Sequence, residues 1–305
     1  MTTLRSGDAM AVVVPEEGAV AASLLVHGVS VLAVTDRTAA PAEPHDAPTD
    51  EDAWVRAWRG GWQLCLPYAG SAPDAGPFHG RASQTPWTVE SHGESSVVLG
   101  WEGDGLRVRR EWRLAGGRLT ALTTAENVGG RPVPFAPAEH LVLGDELLAR
   151  RPDASSGAEP GACVAELTTD PRTLVAVLDD AAAPAGAPIA WPGDPAARWD
   201  AVDEGAARLA VLTPPGGVEA SVVVRGARAV AGVRWDAAAL PHAVLWQEVG
   251  ATPTPPWDGR IRALGVEPTM VAHGGGPVVG GLPELAPGAV ARWSCSLTID
   301  GEVSA

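Results

Sequence analysis

Apolar and polar residues alternate with a period of two in many of the segments that lie between turn residues. The clearest run is Leu106 to Leu114. Val108, Trp112 and Leu114 share one face with Arg110, while Arg107, Arg109, Glu111 and Arg113 take the other. Gly116-Gly117 follows, and then the Thr-rich run from Arg118 to Glu126. Two alternating runs joined by Gly-Gly predict a β-hairpin with a tight primed turn. Gly103-Asp104-Gly105 makes a similar turn that joins Ser95–Trp101 to this hairpin. Further strands are predicted at Ala11–Val14, Val20–Val26, Val29–Val34, Leu174–Leu178, Arg208–Leu212, Ala220–Arg225, Ala243–Glu248, Arg260–Val266 and Val290–Thr298. Short strands with turn signals at regular intervals argue for an all-β sandwich or barrel.

The breakers agree with that pattern. With 36 Gly and 28 Pro in 305 residues, long helices do not survive. Arg150–Pro160 and Ala181–Asp203 are rich in Ala, Pro, Gly and Ser or Asp and read as exposed loops. All-β sandwiches often run beyond 200 residues, so a single domain over residues 1–305 with long connections is the expected organisation.

Charge narrows the range of partners. The formal net charge is -15, which repels phosphate backbones and anionic membranes. The cluster Arg107, Arg109, Arg110 and Arg113 lies on a strand beside Glu102, Asp104 and Glu111, so its exposed members read as a solvated face. Neither nucleic acid nor membrane is expected as a partner. The chain contains no lysine, which removes Schiff-base chemistry and a Walker-type phosphate loop. Cys65, Cys163 and Cys295 are far apart and odd in number, which suggests neither a zinc site nor a disulfide framework. The count fits a reducing compartment. No basic-then-apolar leader pattern opens the chain, and a cytoplasmic location is expected.

Titratable side chains point to candidate chemistry. His27, His45, His92, His242 and His273 lack informative surroundings and read as structural or exposed. His79 lies in Pro77-Phe78-His79-Gly80, and His140 ends Pro134-Phe135-Ala136-Pro137-Ala138-Glu139-His140. The only two Phe of the chain stand near these two histidines. Glu267, in Gly265-Val266-Glu267-Pro268-Thr269, is expected to end an apolar strand, with Pro268 holding it extended and stopping the strand there. A carboxylate shielded by apolar neighbours is a candidate general base with a raised pKa.

Taken in order, these pieces resemble the aldose 1-epimerase, or galactose mutarotase-like, family. The matching segments are Pro77–Gly80, Leu122–Pro134 with Asn127, Phe135–His140, Gly265–Thr269 and Leu285-Ala286-Pro287-Gly288. The resemblance implies a large antiparallel β-sandwich (a supersandwich) with a sugar cleft on one concave face. It implies interconversion of the α and β anomers of a free aldose, with no metal or organic cofactor, by a monomer or homodimer. By carry-over Glu267 is the base, His140 the acid, and His79 a second histidine that orients the sugar oxygens. The family's early Asn-Arg pair has no evident counterpart, although Arg59-Gly60-Gly61-Trp62 lies nearby. For the acidic residue that binds sugar hydroxyls in that family, Gln247 and Glu248 are the nearest candidates.

Tryptophan adds a separate argument. Twelve Trp stand against two Phe and one Tyr, and an indole face packs well on the C–H patches of a pyranose. Trp62, Trp87, Trp246 and Trp257 flank the motif segments and are the candidate sugar platform. A phosphorylated sugar would need arginines in the cleft, and Arg59, Arg81 and Arg260 are the candidates. Two other readings use the same residues. One is a carbohydrate-binding protein without turnover. The other is a relative of lyase or glycosidase sandwiches, but hydrolysis wants two flanking carboxylates and only Glu267 has such a context.

Overall fold

The computed structural model describes residues 1–42, 47–71, 76–149, 162–180, 186–194, 197–272 and 281–300. Within them the hairpin sits where alternation places it. Leu106–Ala115 pairs with Arg118–Asn127 across Gly116-Gly117, with Leu114 opposite Leu119. Its inward positions, Leu106, Val108, Arg110, Trp112 and Leu114, are all buried. The preceding turn is two residues long, because Gly103 pairs with Leu106. Asp104 and Gly105 both have positive φ, 53° and 81°, as a type I′ turn requires.

Two large sheets result. One has nine strands, in the order Ala201–Asp203, Cys163–Thr169, Glu219–Arg225, Val230–Asp236, Val290–Asp300, Arg118–Asn127, Leu106–Ala115, Ser96–Gly103 and Thr88–His92. The other has eleven. Its centre is Trp62–Cys65, Ala138–Gly144, Arg262–Thr269 and His242–Val249, flanked by Val20–Val26 on one side and Ala207–Thr213 on the other. One continuous core joins the sheets: Leu24, Trp62, Leu141, Leu245 and Val266 of the eleven-stranded sheet with Leu99, Val108, Trp112, Val222 and Leu297 of the nine-stranded one. This is the antiparallel sandwich that the pattern predicts. No helix of the described residues is long and apolar enough to cross a membrane.

Several elements depart from expectation, each for a physical reason. Ala138–Gly144 is buried at all seven positions and Trp62–Cys65 at all four, so neither shows the alternation that marks a half-solvated strand. Thr2–Ser6, Thr88–His92, Cys163–Thr169 and Val230–Asp236 are also strands that alternation did not single out. Val29–Val34 shortens to Val29–Ser30, with single bridges at Leu32 and Val34. The segment expected to be a loop up to Asp203 contains the short strands Ile189–Ala190, Gly193–Asp194, Ala197–Arg198 and Ala201–Asp203. Arg150–Pro160, His45 and His273 lie outside the described residues. Pro268 does not stop its strand, which runs on to Thr269. Instead, the ladder to Ala138–Gly144 is made at Ala138–Thr269 and again from Val142–Gly265. It is interrupted between those points, where Pro268 has no N–H to give. A second, smaller apolar cluster covers the outer face of the larger sheet there, built on Trp54, Trp58, Phe78 and Val142.

Candidate functional site

The outer face of the four central strands carries the site. The register that pairs Ala138 with Thr269 and Val142 with Gly265 sets His140 level with Glu267 on neighbouring strands. His140 Nε2 and Glu267 Oε1 are 3.7 Å apart. Alternation along Ala138–Gly144 sends Glu139 the other way, into the core. There Glu139 is wholly buried and takes a bidentate pair of hydrogen bonds from Arg110 of the opposite sheet, at 2.8 and 2.7 Å. Trp62 Nε1 and Trp293 Nε1 each donate to it at 2.7 Å. Gly265 makes room for Glu267, because a Cβ there would lie 2.2 Å from Glu267 Oε1.

His79 arrives on the turn Pro77-Phe78-His79-Gly80. It holds a left-handed backbone, φ 62°, and Gly80 follows at φ 77° with a Cβ position only 2.1 Å from the Leu66 carbonyl oxygen. The His79 N–H donates to the Gly70 carbonyl and the Gly70 N–H donates to His79 Nδ1, both at 2.8 Å. Because Nδ1 accepts, the neutral ring carries its proton on Nε2. His79 and His140 rings are 5.2 Å apart.

Indoles wall the cleft. The helix Glu51–Ala57, capped by Asp50 through its bond from the Ala53 N–H at 2.8 Å, lays Trp54 edge-on against both histidines, at 4.5 Å from His79 and 5.2 Å from His140. Trp58 meets His140, Trp246 and Trp257 at 5.7, 5.9 and 5.8 Å. Glu248 anchors the loop that leads to Trp257, accepting from the Ala251 and Thr252 N–H groups and from Thr252 Oγ1 at 3.0, 2.9 and 2.8 Å. The enclosed space is about 230 Å³, lined by His79, His140, Glu267, Trp54, Trp246 and Trp257 among others. That is below the roughly 300–1,000 Å³ of pockets for drug-sized ligands and has room for a smaller molecule.

Burial governs the charges. It pushes Glu267 up to about 8 and His140 down to about 4. Both groups are thereby driven toward their neutral forms. His140 Nδ1 is buried with no hydrogen-bond partner among the described residues.

The cleft therefore gathers His79, His140, Glu267, Trp246, Trp257 and Glu248. The other sequence candidates stand elsewhere. Trp62 is wholly buried between the sheets, edge-on to Trp112 at 4.8 Å. Trp87 is also core, with its Nε1–H bonded to the Ala82 carbonyl at 2.8 Å. Neither is a sugar platform. Gln247 points inward by alternation and is fully buried. Arg59 is buried against Glu17, with Nη2 to Oε1 at 2.7 Å, and also holds the carbonyls of Arg37, Ala40 and Pro41. Arg81 faces Asp104 at 3.4 Å and Arg260 faces Asp258 at 3.0 Å, both exposed. The three arginines do not converge. Conversely, Trp54 and Trp58 were missed, although Asp50-Glu51-Asp52 before a Trp-x3-Trp spacing is a helix-start signal with one aromatic face.

No protein-family model matches the chain, and no curated protein matches it in sequence. Solved structures do. A galactose mutarotase related enzyme from Lactobacillus acidophilus superposes with a TM-score of 0.66 at 14% identity, over 98% of this chain and 97% of that one. A galactose mutarotase-like protein from Lactobacillus casei gives 0.67 at 15%, over 98% and 100%. An aldose epimerase homologue from C. elegans gives 0.67 at 13%, over 98% of both chains. The chain has the galactose mutarotase-like fold along nearly its whole length.

Proposed function

We propose that the protein is a mutarotase that interconverts the α and β anomers of a free aldose. The observation that carries this reading is the facing pair His140 and Glu267, 3.7 Å apart on the floor of an indole-walled cleft. Mutarotation needs one group to take the proton of the anomeric hydroxyl and another to deliver a proton to the ring oxygen. The ring opens, the C1–C2 bond turns, and the ring closes from the other face with the proton transfers reversed. One proton enters and one leaves, so nothing is consumed.

Values of about 8 and about 4 mean that the pair shares a single proton across neutral pH. Carboxyl plus imidazole is the form that burial favours. Carboxylate plus imidazolium is the form in which Glu267 acts as base and His140 as acid. Sugar hydroxyls donating to the carboxylate would favour the second form. His79, with its proton on Nε2, supplies a fixed donor for a sugar oxygen. Three cysteines that form no disulfide fit a cytoplasmic site of action.

Polarimetry of freshly dissolved α-anomers with and without the protein tests the reading. Acceleration that disappears in Glu267→Gln and falls strongly in His140→Ala is the expected result. A sugar that binds in the cleft but equilibrates no faster would make the protein a carbohydrate-binding protein on the same scaffold.

A further inference from the structure

The chemistry of the cleft is unevenly distributed. The proton-handling groups His79, His140 and Glu267 stand at one end. Val244 is the residue paired with Glu267 on the next strand, and Leu209 is paired with Trp246 on the strand after that. Both line the cleft. An apolar floor therefore begins on the strand beside Glu267 and continues outward, with Trp246 and Trp257, 6.4 Å apart, lining the same cleft. The polar residue bordering this end is Glu248, whose carboxylate is taken up by three bonds to residues 251 and 252.

We propose that the cleft recognises an uncharged 6-deoxy aldopyranose, with its C6 methyl seated on Val244, Leu209 and Trp246. The inference rests on the mutarotase reading, which puts the anomeric carbon at His140 and Glu267. Adjacent strands are about 4.8 Å apart, close to the width of a pyranose, so the far edge of the ring falls over Val244, one strand from Glu267, with Leu209 on the strand beyond it. A hydroxymethyl group there would give up water without gaining a partner from those side chains, whereas a methyl is at home. Apolar pockets discriminate such pairs by roughly 10- to 100-fold. Charge is handled by the acids. Glu51 and Glu248 both line the cleft, so a phosphate or carboxylate at C6 meets like charge. Arg59, Arg81 and Arg260 are paired with Glu17, Asp104 and Asp258.

The test uses matched sugars that differ only at C6: D-fucose with D-galactose, 6-deoxy-D-glucose with D-glucose, L-fucose with L-galactose, L-rhamnose with L-mannose. Galactose 6-phosphate and galacturonate are the charged members. Anomer exchange by NMR reads turnover, and titration of the full-length protein reads affinity. In at least one pair the 6-deoxy sugar should exceed its parent by about tenfold or more in kcat/KM or in affinity. The charged sugars should do neither. Parents that equal or exceed their 6-deoxy partners in every pair, or a charged sugar that is handled as well, overturn the proposal. If no sugar turns over, the mutarotase reading falls and the affinity ratios still decide this one. Silence in both readouts overturns both. Val244→Thr, which offers O6 a hydroxyl, should narrow the ratio; an unchanged ratio in a folded variant removes Val244 as the discriminator.

Discussion

Glu139 and His140 are consecutive residues on one strand, and each belongs to a buried pair of ionisable groups. On the inner face Glu139 receives four hydrogen bonds, two from Arg110 and one each from the indoles of Trp62 and Trp293. Arg110 also donates to Thr123 Oγ1 at 2.7 Å and lies 4.3 Å over the Trp112 ring. On the outer face His140 and Glu267 stay 3.7 Å apart, with His140 Nδ1 unpartnered among the described residues. The inner carboxylate is saturated, although Arg110 Nε has no partner among the described residues, so the pair bolts one sheet to the other and holds the strand's pitch. The outer pair is short of partners, so burial drives it neutral and leaves a mobile proton. A hydroxyl-bearing ligand can complete what the protein leaves incomplete. The difference between the two pairs lies in how far each carboxyl is satisfied, because both pairs are buried.

Removing the outer carboxyl breaks the comparison most sharply. Glu267→Gln should cut mutarotation by about 10²- to 10⁴-fold, the usual worth of a positioned acid or base. The fold should not weaken, since an amide replaces a group that burial already penalises when charged. Polarimetry and thermal melts read the two effects separately. The inner pair should respond in the opposite sense. Glu139→Ala or Arg110→Ala strands a buried charge, and unfolding free energy should drop by about 3–5 kcal/mol. The double replacement Glu139→Leu with Arg110→Met should recover part of that loss, because it removes both charges together but leaves the Trp62 and Trp293 indole N–H groups without their acceptor. Denaturant titration of the three variants decides whether the inner pair is structural in this sense.

The same strand shows what could be read from the sequence. Leu106–Ala115 was legible because one face is wet: Arg107, Arg109 and Arg113 alternate with Val108 and Trp112. Ala138–Gly144 is covered on both faces, so its sequence carries no period, and the strand that bears His140 stayed hidden. His79, His140 and Glu267 were nonetheless legible as an ordered set, because that order needs no knowledge of the strands, and the structure brings the three into one cleft. Tryptophan misled. An indole count cannot separate Trp62, which caps Glu139 in the core, from Trp246, which lines the cleft. Trp54 sits on a helix of seven residues and Trp58 caps its C-terminus, and so short a helix shows no helical period.

Proton linkage sharpens the comparison through pH. The folded value of Glu267 is raised, from its ordinary 4.5 to about 8, so its stabilising share is full below pH 4.5 and lost as pH climbs to about 8. The folded value of His140 is lowered, from 6.5 to about 4, so its share is full above pH 6.5 and lost as pH falls to about 4. Between pH 4.5 and 6.5 the two slopes cancel. From pH 6.5 to 8 only the Glu267 slope remains, and unfolding free energy should fall by about 2 kcal/mol at ~1.4 kcal/mol per pH unit. Glu267→Gln should flatten that decline. In turnover, kcat/KM should follow a bell with limbs near pH 4 and 8 that belong to the pair as a unit. A flat wild-type stability curve over pH 6.5 to 8 would show that Glu267 titrates normally in the fold.

The smallest effect isolates geometry from protonation. Gly265 has ordinary backbone, so alanine is allowed there, yet its Cβ would fall 2.2 Å from Glu267 Oε1 and 3.2 Å from the Trp246 Cβ. The obstructed group is the end of a flexible side chain, so it should swing aside and leave the backbone in place. Gly265→Ala should lose about tenfold in kcat/KM, or ~1.4 kcal/mol in transition-state binding, through misplacement of the carboxyl. Its stability should stay within about 0.5 kcal/mol of wild type. Gly144→Ala on the neighbouring strand is the counterpart, because there the Cβ meets the Arg262 carbonyl oxygen at 2.3 Å and the Ala33 Cα at 2.7 Å. Backbone cannot swing aside, so that variant should lose stability. If Gly265→Ala were fully active, the carboxyl would not need the place that Gly265 leaves for it. The outer pair would then work from some arrangement other than the 3.7 Å approach.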